Sequence, residues 1–262
     1  MEKDKIRIAA IGDIHYGRPQ DSLQPAFAQI AATVDILLLL GDLTNIGLPE
    51  EAKKLAKDLT SSVKIPIIGV LGNHDFESGR QNEVRDVMQE AGVTMLDGGA
   101  HEVLGIGFAG VKGFAGGFDR SSLQPWGEEI VKLFVREAVN EALKLEAGLA
   151  KLRTNHRIAL LHYSPIRTTV EGEPLEIFPY LGSSRLEEPL NRYQVTAAFH
   201  GHAHRGRLEG FTQARIPVYN VAMSVLQHAY PDRLPFHVLE VPTAAPGAEQ
   251  QSKATAPAPV ST

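Results

Sequence analysis

Cysteine is absent from the 262-residue chain. Its absence removes disulfides, thiolate nucleophiles and cysteine-ligated zinc together, and leaves the redox compartment open. A basic excess is missing too: 26 Lys and Arg stand against 31 Asp and Glu, a net charge of -5. Proteins that coat nucleic acid normally carry the opposite balance, so nucleic acid is disfavoured as a partner. Long apolar runs are also lacking. The longest, Ile36–Leu40, falls far short of the roughly 18 to 20 residues that span a bilayer, and no membrane association is expected. Met1-Glu2-Lys3-Asp4-Lys5 leads straight into Ile6 with no apolar stretch or small-residue cleavage site, which predicts no secretory leader. No internal repeat is visible, which excludes solenoids and propellers. What is left is a mildly acidic, cytoplasmic globular protein with no segment that marks a protein partner, long enough to bury a core without covalent staples.

What is present alternates. Residues 6–11, 35–40 and 65–71 are short apolar runs, separated by helix-like stretches at 26–34 and 50–59 and followed by another at 80–91. Near-continuous apolar runs of this length suit strands buried on both faces, and the alternation predicts an α/β fold with helices covering a central sheet. Residues 93–111 are Gly-punctuated and strand-like, with Asp97-Gly98 as a turn signal. Residues 126–152 form a long helical stretch whose apolar positions Ile130, Phe134, Val135, Ala138, Val139, Ala142 and Leu145 recur at helical spacing. Further strands are expected at 157–161, 196–200, 218–221 and 236–241. The domain therefore runs from 1 to 241. Residues 242–262, biased to Pro, Ala, Ser, Thr and Gln with no aromatic residue, read as a disordered tail.

Placement of the polar residues is the informative feature. Five strand candidates each end in residue types that bind metals: Asp13-Ile14-His15, Gly41-Asp42, Gly72-Asn73-His74-Asp75, His162, and Gly201-His202-Ala203-His204. Sites in open α/β sheets lie outside the carboxyl ends of the strands, so loops leaving neighbouring strands can bring all five clusters to one edge. Gly12, Gly41, Gly72 and Gly201 fit tight turns there, where left-handed backbone is common. Singly, each cluster has an ordinary explanation as a turn or a solvated loop. Together, in this order, they do not read as coincidence.

The order Asp-x-His, Gly-Asp, Gly-Asn-His-Asp, His, Gly-His-x-His resembles the calcineurin-like metallophosphoesterase superfamily, from about Ile6 to Val221. That resemblance implies a four-layer α/β/β/α sandwich with a dinuclear metal site at the strand ends. It also implies that Asp13, His15 and His204 bind one metal, that Asn73, His162 and His202 bind the other, and that Asp42 bridges both. His74 would face the substrate and assist the leaving group, while a hydroxide shared by the metals attacks in line. The donor set of imidazole with carboxylate and amide oxygen suits Mn first, with Fe, Zn, Co or Ni as alternatives, over Ca and Mg, which prefer all-oxygen shells. Two divalent ions outweigh two carboxylates and a hydroxide, so the site would attract a phosphate in an otherwise acidic protein.

Around the motifs, Asp75 reads either as an orienter of a neighbouring imidazole or as a turn residue, and His200 as a strand-end histidine behind the ligands. His101, His156, His228 and His237 have no motif around them. Arg18, Asn45, Tyr163, Arg167 and Arg205 adjoin the motifs and could reach a phosphate, and residues 164–183 are expected to wall or cover the pocket. Protein phosphatases of the superfamily continue Gly-Asp into Asp-Arg-Gly, whereas Gly41-Asp42 continues as Leu43-Thr44-Asn45-Ile46-Gly47. The resemblance is therefore to the bacterial phosphodiesterase-type branch and implies a small phosphodiester as substrate. A phosphomonoesterase or nucleotidase, and a non-catalytic metal-binding scaffold, are the alternatives.

Overall fold

A computed structural model describes residues 3–18 and 23–243. The first strand, β1 (Lys5–Ile11), leads to α1 (Gln24–Thr33), β2 (Ile36–Leu40), α2 (Pro49–Ser62), β3 (Ile67–Val70), α3 (Gln81–Glu90) and β4 (Val93–Met95). Pro49 starts α2 with its ring already set for helix, and Glu51 turns back to accept hydrogen bonds from the amides of Asn45, Ile46 and Leu48. β1 to β4 lie side by side in parallel, with β2 buried at every position because a strand flanks it on each side.

Asp97-Gly98 is where the chain leaves this sheet for a second one. There follow β5 (Gly99–Val103), β6 (Ile106–Gly110), α4 (Glu129–Leu149), β7 (His156–Leu160), α5 (Phe178–Leu181), α6 (Glu187–Arg192), β8 (Ala197–His200), β9 (Glu209–Phe211), β10 (Pro217–Asn220), α7 (Met223–Ala229) and β11 (His237–Pro242). β11 returns to the first sheet, antiparallel to β1, giving the order β11-β1-β2-β3-β4; the second sheet runs β5-β6-β7-β8-β10-β9. Alternation decides which side each residue serves. Phe108, Ile158, Leu160, Ala197 and Phe199 join the residues of the first sheet in the larger core, whereas Ala109, Ala159, Leu161 and Ala198 meet Leu145 and Leu149 of α4 and Leu190 of α6. The result is the expected α/β/β/α sandwich.

Three elements went unread in the sequence: β9, α7, and the 164–192 stretch, which holds short helical turns as well as α5 and α6. The helical stripe of α4 is narrower than its sequence suggests, for Ile130 and Val139 are exposed. Pro242 and Thr243 extend the edge strand, Pro242 opposite Lys5 and the Thr243 amide donating to the Asp4 carbonyl. The rest of the 242–262 tail lies outside the described residues.

Candidate metal centre

Parallel strands point their carboxyl ends the same way, and here two sheets do so at a common edge. β1, β2 and β3 deliver Asp13 and His15, Asp42, and Asn73 and His74; β7 and β8 deliver His162, and His202 and His204. Hydrogen bonds close the seam between the sheets. Gly12 donates to the Val221 carbonyl (2.8 Å) and Val221 to that of His200 (2.7 Å). The His202 amide donates to both oxygens of Asp13 (3.1 and 2.9 Å).

Sterics hold the loops in unusual shapes. Asp13, His15, Asp42 and His202 all have left-handed backbone, with φ between 47° and 68°, at a cost on the order of 1 kcal/mol each that the surrounding structure must offset. Of the four glycines expected to need such a conformation, only Gly41 has it (φ 80°). Gly72 serves a different purpose: a Cβ there would overlap the Asp42 backbone nitrogen and carboxylate. Its loop can lie against the Asp42 loop only without a side chain.

Three groups of candidate ligands, each with donor atoms within 4.8 Å of one another, occupy this edge: Asp13, His15 and His204; His15, Asp42 and His74; and Asp42, His162 and His202. Asp42 and His15 each belong to two groups, so the site is one continuous cluster. Asn73 joins it through His162, its Oδ1 lying 2.9 Å from Nε2. All seven expected ligands and His74 are therefore brought together.

The electron pairs face one another. Nδ1 of His162 sits 2.9 Å from the Leu40 carbonyl and must donate to it. Burial holds this imidazole well below its usual pKa, against the pull of Asp13, so Nε2 is left as a bare acceptor. It faces Asn73 Oδ1 and, at 3.4 Å, Asp42 Oδ1. With the Asn73 amide so oriented and Asp42 ionised, three acceptors face one another, an arrangement that a cation among them satisfies. His15 makes the same point: both ring nitrogens are buried without a hydrogen-bond partner, and burial lowers its pKa to about 4. His202 gives Nε2 to the Tyr180 carbonyl (3.1 Å), which frees Nδ1, and is likewise lowered to about 4 by burial. Neutral imidazole is the metal-binding form, so the donors fit divalent metal ions.

The carboxylates differ from each other. Burial would raise Asp13, but hydrogen bonding to His204 (2.8 Å), the nearby imidazoles and the His202 amide overcome it and hold the carboxyl well below its ordinary range. Asp42 is pushed well above that range by burial and by the charges of Asp13 and Asp75. A buried carboxylate beside two others is a charge awaiting a counter-ion.

His74 stands at the mouth, 26% exposed, with Nε2 3.9 Å from Asp42 Oδ2 and its ring edge-on to His15. Its Nδ1 is held by the Asn45 carbonyl (2.9 Å) and by Glu77 (2.8 Å). Glu77 was not singled out from the sequence, although its place three residues beyond His74 on a helical turn could have suggested it. Asp75 touches no imidazole. Fully buried, it accepts from the amides of Gly72, Leu43 and Thr44 and from the Thr44 hydroxyl, so it clamps two ligand loops together. His200 is buried between the Gly201 carbonyl and the Thr169 hydroxyl, behind the ligands.

Of the other flanking residues, Tyr163 packs its ring on His202 (4.4 Å between centroids). Arg18 is bonded to Asn45, and Arg167 lies over Phe178. Residues 164–183 form a closed loop: the Ser164 amide donates to Leu181, and the Ser183 amide to Ser164. Its Val170, Phe178 and Leu181 pack on Ala203, between the last two histidines. The loop thus lies against the segment that carries His202 and His204.

A calcineurin-like phosphoesterase family model matches residues 6–206. The chain belongs to that family. Among solved structures, a phosphopantetheinyl hydrolase from Mycobacterium tuberculosis superposes with a TM-score of 0.64 at 16% identity, covering 93% of this chain and 99% of that one. TT1561 of Thermus thermophilus gives 0.53 at 13% identity, over 92% and 100% of the two chains. A putative 5'-nucleotidase from Staphylococcus aureus gives 0.53 at 14%, over 83% of this chain and 48% of that longer one. At these identities the likeness is one of fold. No curated protein sequence matches the chain. Among the described residues no helix is long and apolar enough to cross a membrane.

Proposed function

We propose that this calcineurin-like phosphoesterase hydrolyses small phosphodiesters with two divalent cations, manganese first and iron, zinc, cobalt or nickel as alternatives. The observation that carries the reading is the ring of mutually facing acceptors around Asp42, with the buried, unpartnered His15 beside it. Asp13, His15 and His204 would hold one cation, Asn73, His162 and His202 the other, and Asp42 both. The pair, when bound, supplies charge for the phosphoryl oxygens and an acidified water as nucleophile.

The remaining work belongs to the chain. Asp42, fixed by the His74 amide at 2.8 Å, sets the spacing of the two halves. His74, tethered at Nδ1, turns Nε2 to the cleft, where it can hold a hydrogen bond to the phosphoryl group or pass a proton to the departing oxygen. Tyr163 and the Tyr180 carbonyl fix His202 from two sides. The diester preference rests on the resemblance of Gly41-Asp42-Leu43-Thr44-Asn45-Ile46-Gly47, with Gly72-Asn73-His74-Asp75, to the bacterial phosphodiesterase-type branch.

Metal-stripped protein reloaded with Mn²⁺ should cleave bis-p-nitrophenyl phosphate faster than p-nitrophenyl phosphate. His74→Ala should lower turnover about 100-fold or more with its metal content intact. Faster monoester cleavage would move the substrate to phosphomonoesters such as nucleotides. Inertness towards both esters with metals bound would contradict the enzyme reading and leave a metal-binding scaffold.

A further inference from the structure

Beside His204 lies a groove of about 570 Å³ whose lining includes none of the other candidate ligands. Its volume falls within the range of small-molecule sites. His204 joins the groove to the metal centre, since its side chain is 40% exposed yet bonded to Asp13. Leu208 and the buried Val225 of α7 give the groove its apolar lining, and Arg205, Arg207, His228 and Ala229 are exposed along its edge.

The charge of this rim runs against that of the whole molecule. Glu171 is the only carboxylate lining the groove, and it is spent on Arg207 at 3.0 Å. The Arg205 guanidinium has no carboxylate partner among the described residues. Glu173, the nearest candidate, accepts from the Arg205 backbone amide (2.7 Å) instead. Nor is the rim loosely held: the Arg207 amide donates to the Thr169 carbonyl (3.1 Å), and Ser224 donates its hydroxyl to the His204 carbonyl (2.8 Å). The turn that carries both arginines is thus braced on one side by the 164–183 loop and on the other by α7. Two arginines on a braced turn beside an apolar lining suit an organic phosphate: guanidinium pairs with phosphate oxygens and also lies flat on rings.

We propose that this groove is an anion-selective subsite for the arm of the substrate beyond the scissile phosphate, and that the arm carries a second phosphate on a body with an apolar face. The inference rests on the phosphoesterase reading above. In the reaction a water oxygen bonds to phosphorus, the ester P–O bond to the leaving group breaks, and the leaving oxygen takes up a proton. The arm stays in the groove as a phosphomonoester with its second phosphate unchanged.

The test measures hydrolysis of p-nitrophenyl diesters by the full-length, Mn²⁺-loaded protein. The p-nitrophenyl ester of thymidine 5′-phosphate is compared with and without a 3′-phosphate, and with p-nitrophenyl phosphorylcholine, whose arm is cationic. The 3′-phosphate should lower KM at least tenfold and the choline ester should be the poorest of the three. In Arg205→Ala the ratio with and without the 3′-phosphate should fall towards one; Arg207→Gln should reduce it less, because Glu171 already shares that charge. Ala229→Trp, which crowds the groove from its exposed edge, should raise KM for the thymidine esters more than for methyl p-nitrophenyl phosphate. A ratio near one in the wild type, or one that survives loss of Arg205 and Arg207 together, would overturn the subsite. Should none of the esters be cleaved, the phosphoesterase reading fails separately. Calorimetric binding of thymidine 3′,5′-diphosphate, present in the wild type and weakened tenfold in Arg205→Ala, would still support the groove, and absent binding would refute it.

Discussion

His74 owes its usefulness to what holds its far side. With one nitrogen given to Asn45 and Glu77, the ring has a single free nitrogen and a single orientation. Glu77 touches neither the metal ligands nor the cleft floor, so it acts as a positioning residue. Glu77→Ala, which leaves the imidazole in place, is expected to lower kcat about tenfold, short of the roughly 100-fold or more that losing a general acid costs, with KM and bound metal close to wild type. Glu77→Gln, which can still accept from Nδ1, should recover most of the loss. Kinetics of the two variants beside metal analysis would check this, and a matching fall in metal content would assign Glu77 to the fold instead. Among single residues, the motif-borne candidates that the structure gathers into one cluster were legible because metal-binding chemistry is restricted to a few side-chain types at strand ends. Partners that act through the backbone, such as the Tyr180 carbonyl on His202, leave no residue type to read, since every residue has a carbonyl.

At the level of elements, the strands and the larger helices followed from apolar patterning. β9, α7 and the turns of 164–192 did not, because they owe their order to tertiary contacts. Ser164 is paired with Leu181, and Val170 and Phe178 are buried against Ala203. Such segments are irregular in sequence and defined in space. The loops that bear ligands depend on clamps of the same kind, and Asp75 is the clearest. Removing its carboxylate strands four donors that it now satisfies in a buried site. Asp75→Ala should cost roughly 3 kcal/mol of stability, given 1 to 3 kcal/mol for each buried group left unpaired and partial rehydration. Urea denaturation of the metal-free protein would measure it. An unchanged midpoint would mean that the Asp42 and Asn73 loops hold together without the clamp.

Across the whole molecule, burial of histidine sets the response to acid. His15, His200, His202 and His237 are each lowered to about 4, in every case with burial as the leading cause. Unfolded, each would titrate near 6.5. Between those values the unfolded chain takes up protons at these four rings that the folded one refuses. Their contribution to stability is therefore fully present above about pH 6.5 and falls as the pH drops towards 4, while the raised Asp42, Asp75 and His204 take up protons in the folded chain and offset part of it. The melting temperature of the metal-stripped protein should follow that course. His237→Phe, outside the candidate ligand set and stacked on Tyr219 at 4.4 Å, should make the fall shallower while keeping the packing. A slope in His237→Phe equal to that of the wild type would contradict the burial of that ring.

The architecture as a whole was readable because its two sheets present five ligand-bearing loops at one edge, each loop marked by its own short motif. The groove beside His204 was not, for it joins Leu208 to α7, a helix with no strong pattern. The central claim is that two cations act together at Asp42. It is tested most directly by titrating metal-stripped protein with Mn²⁺ while counting bound metal and following bis-p-nitrophenyl phosphate hydrolysis in the same samples. The account predicts no hydrolysis in chelator and a rate that reaches its plateau only as the second equivalent binds. Full activity at one equivalent, or hydrolysis that persists in chelator, would contradict it.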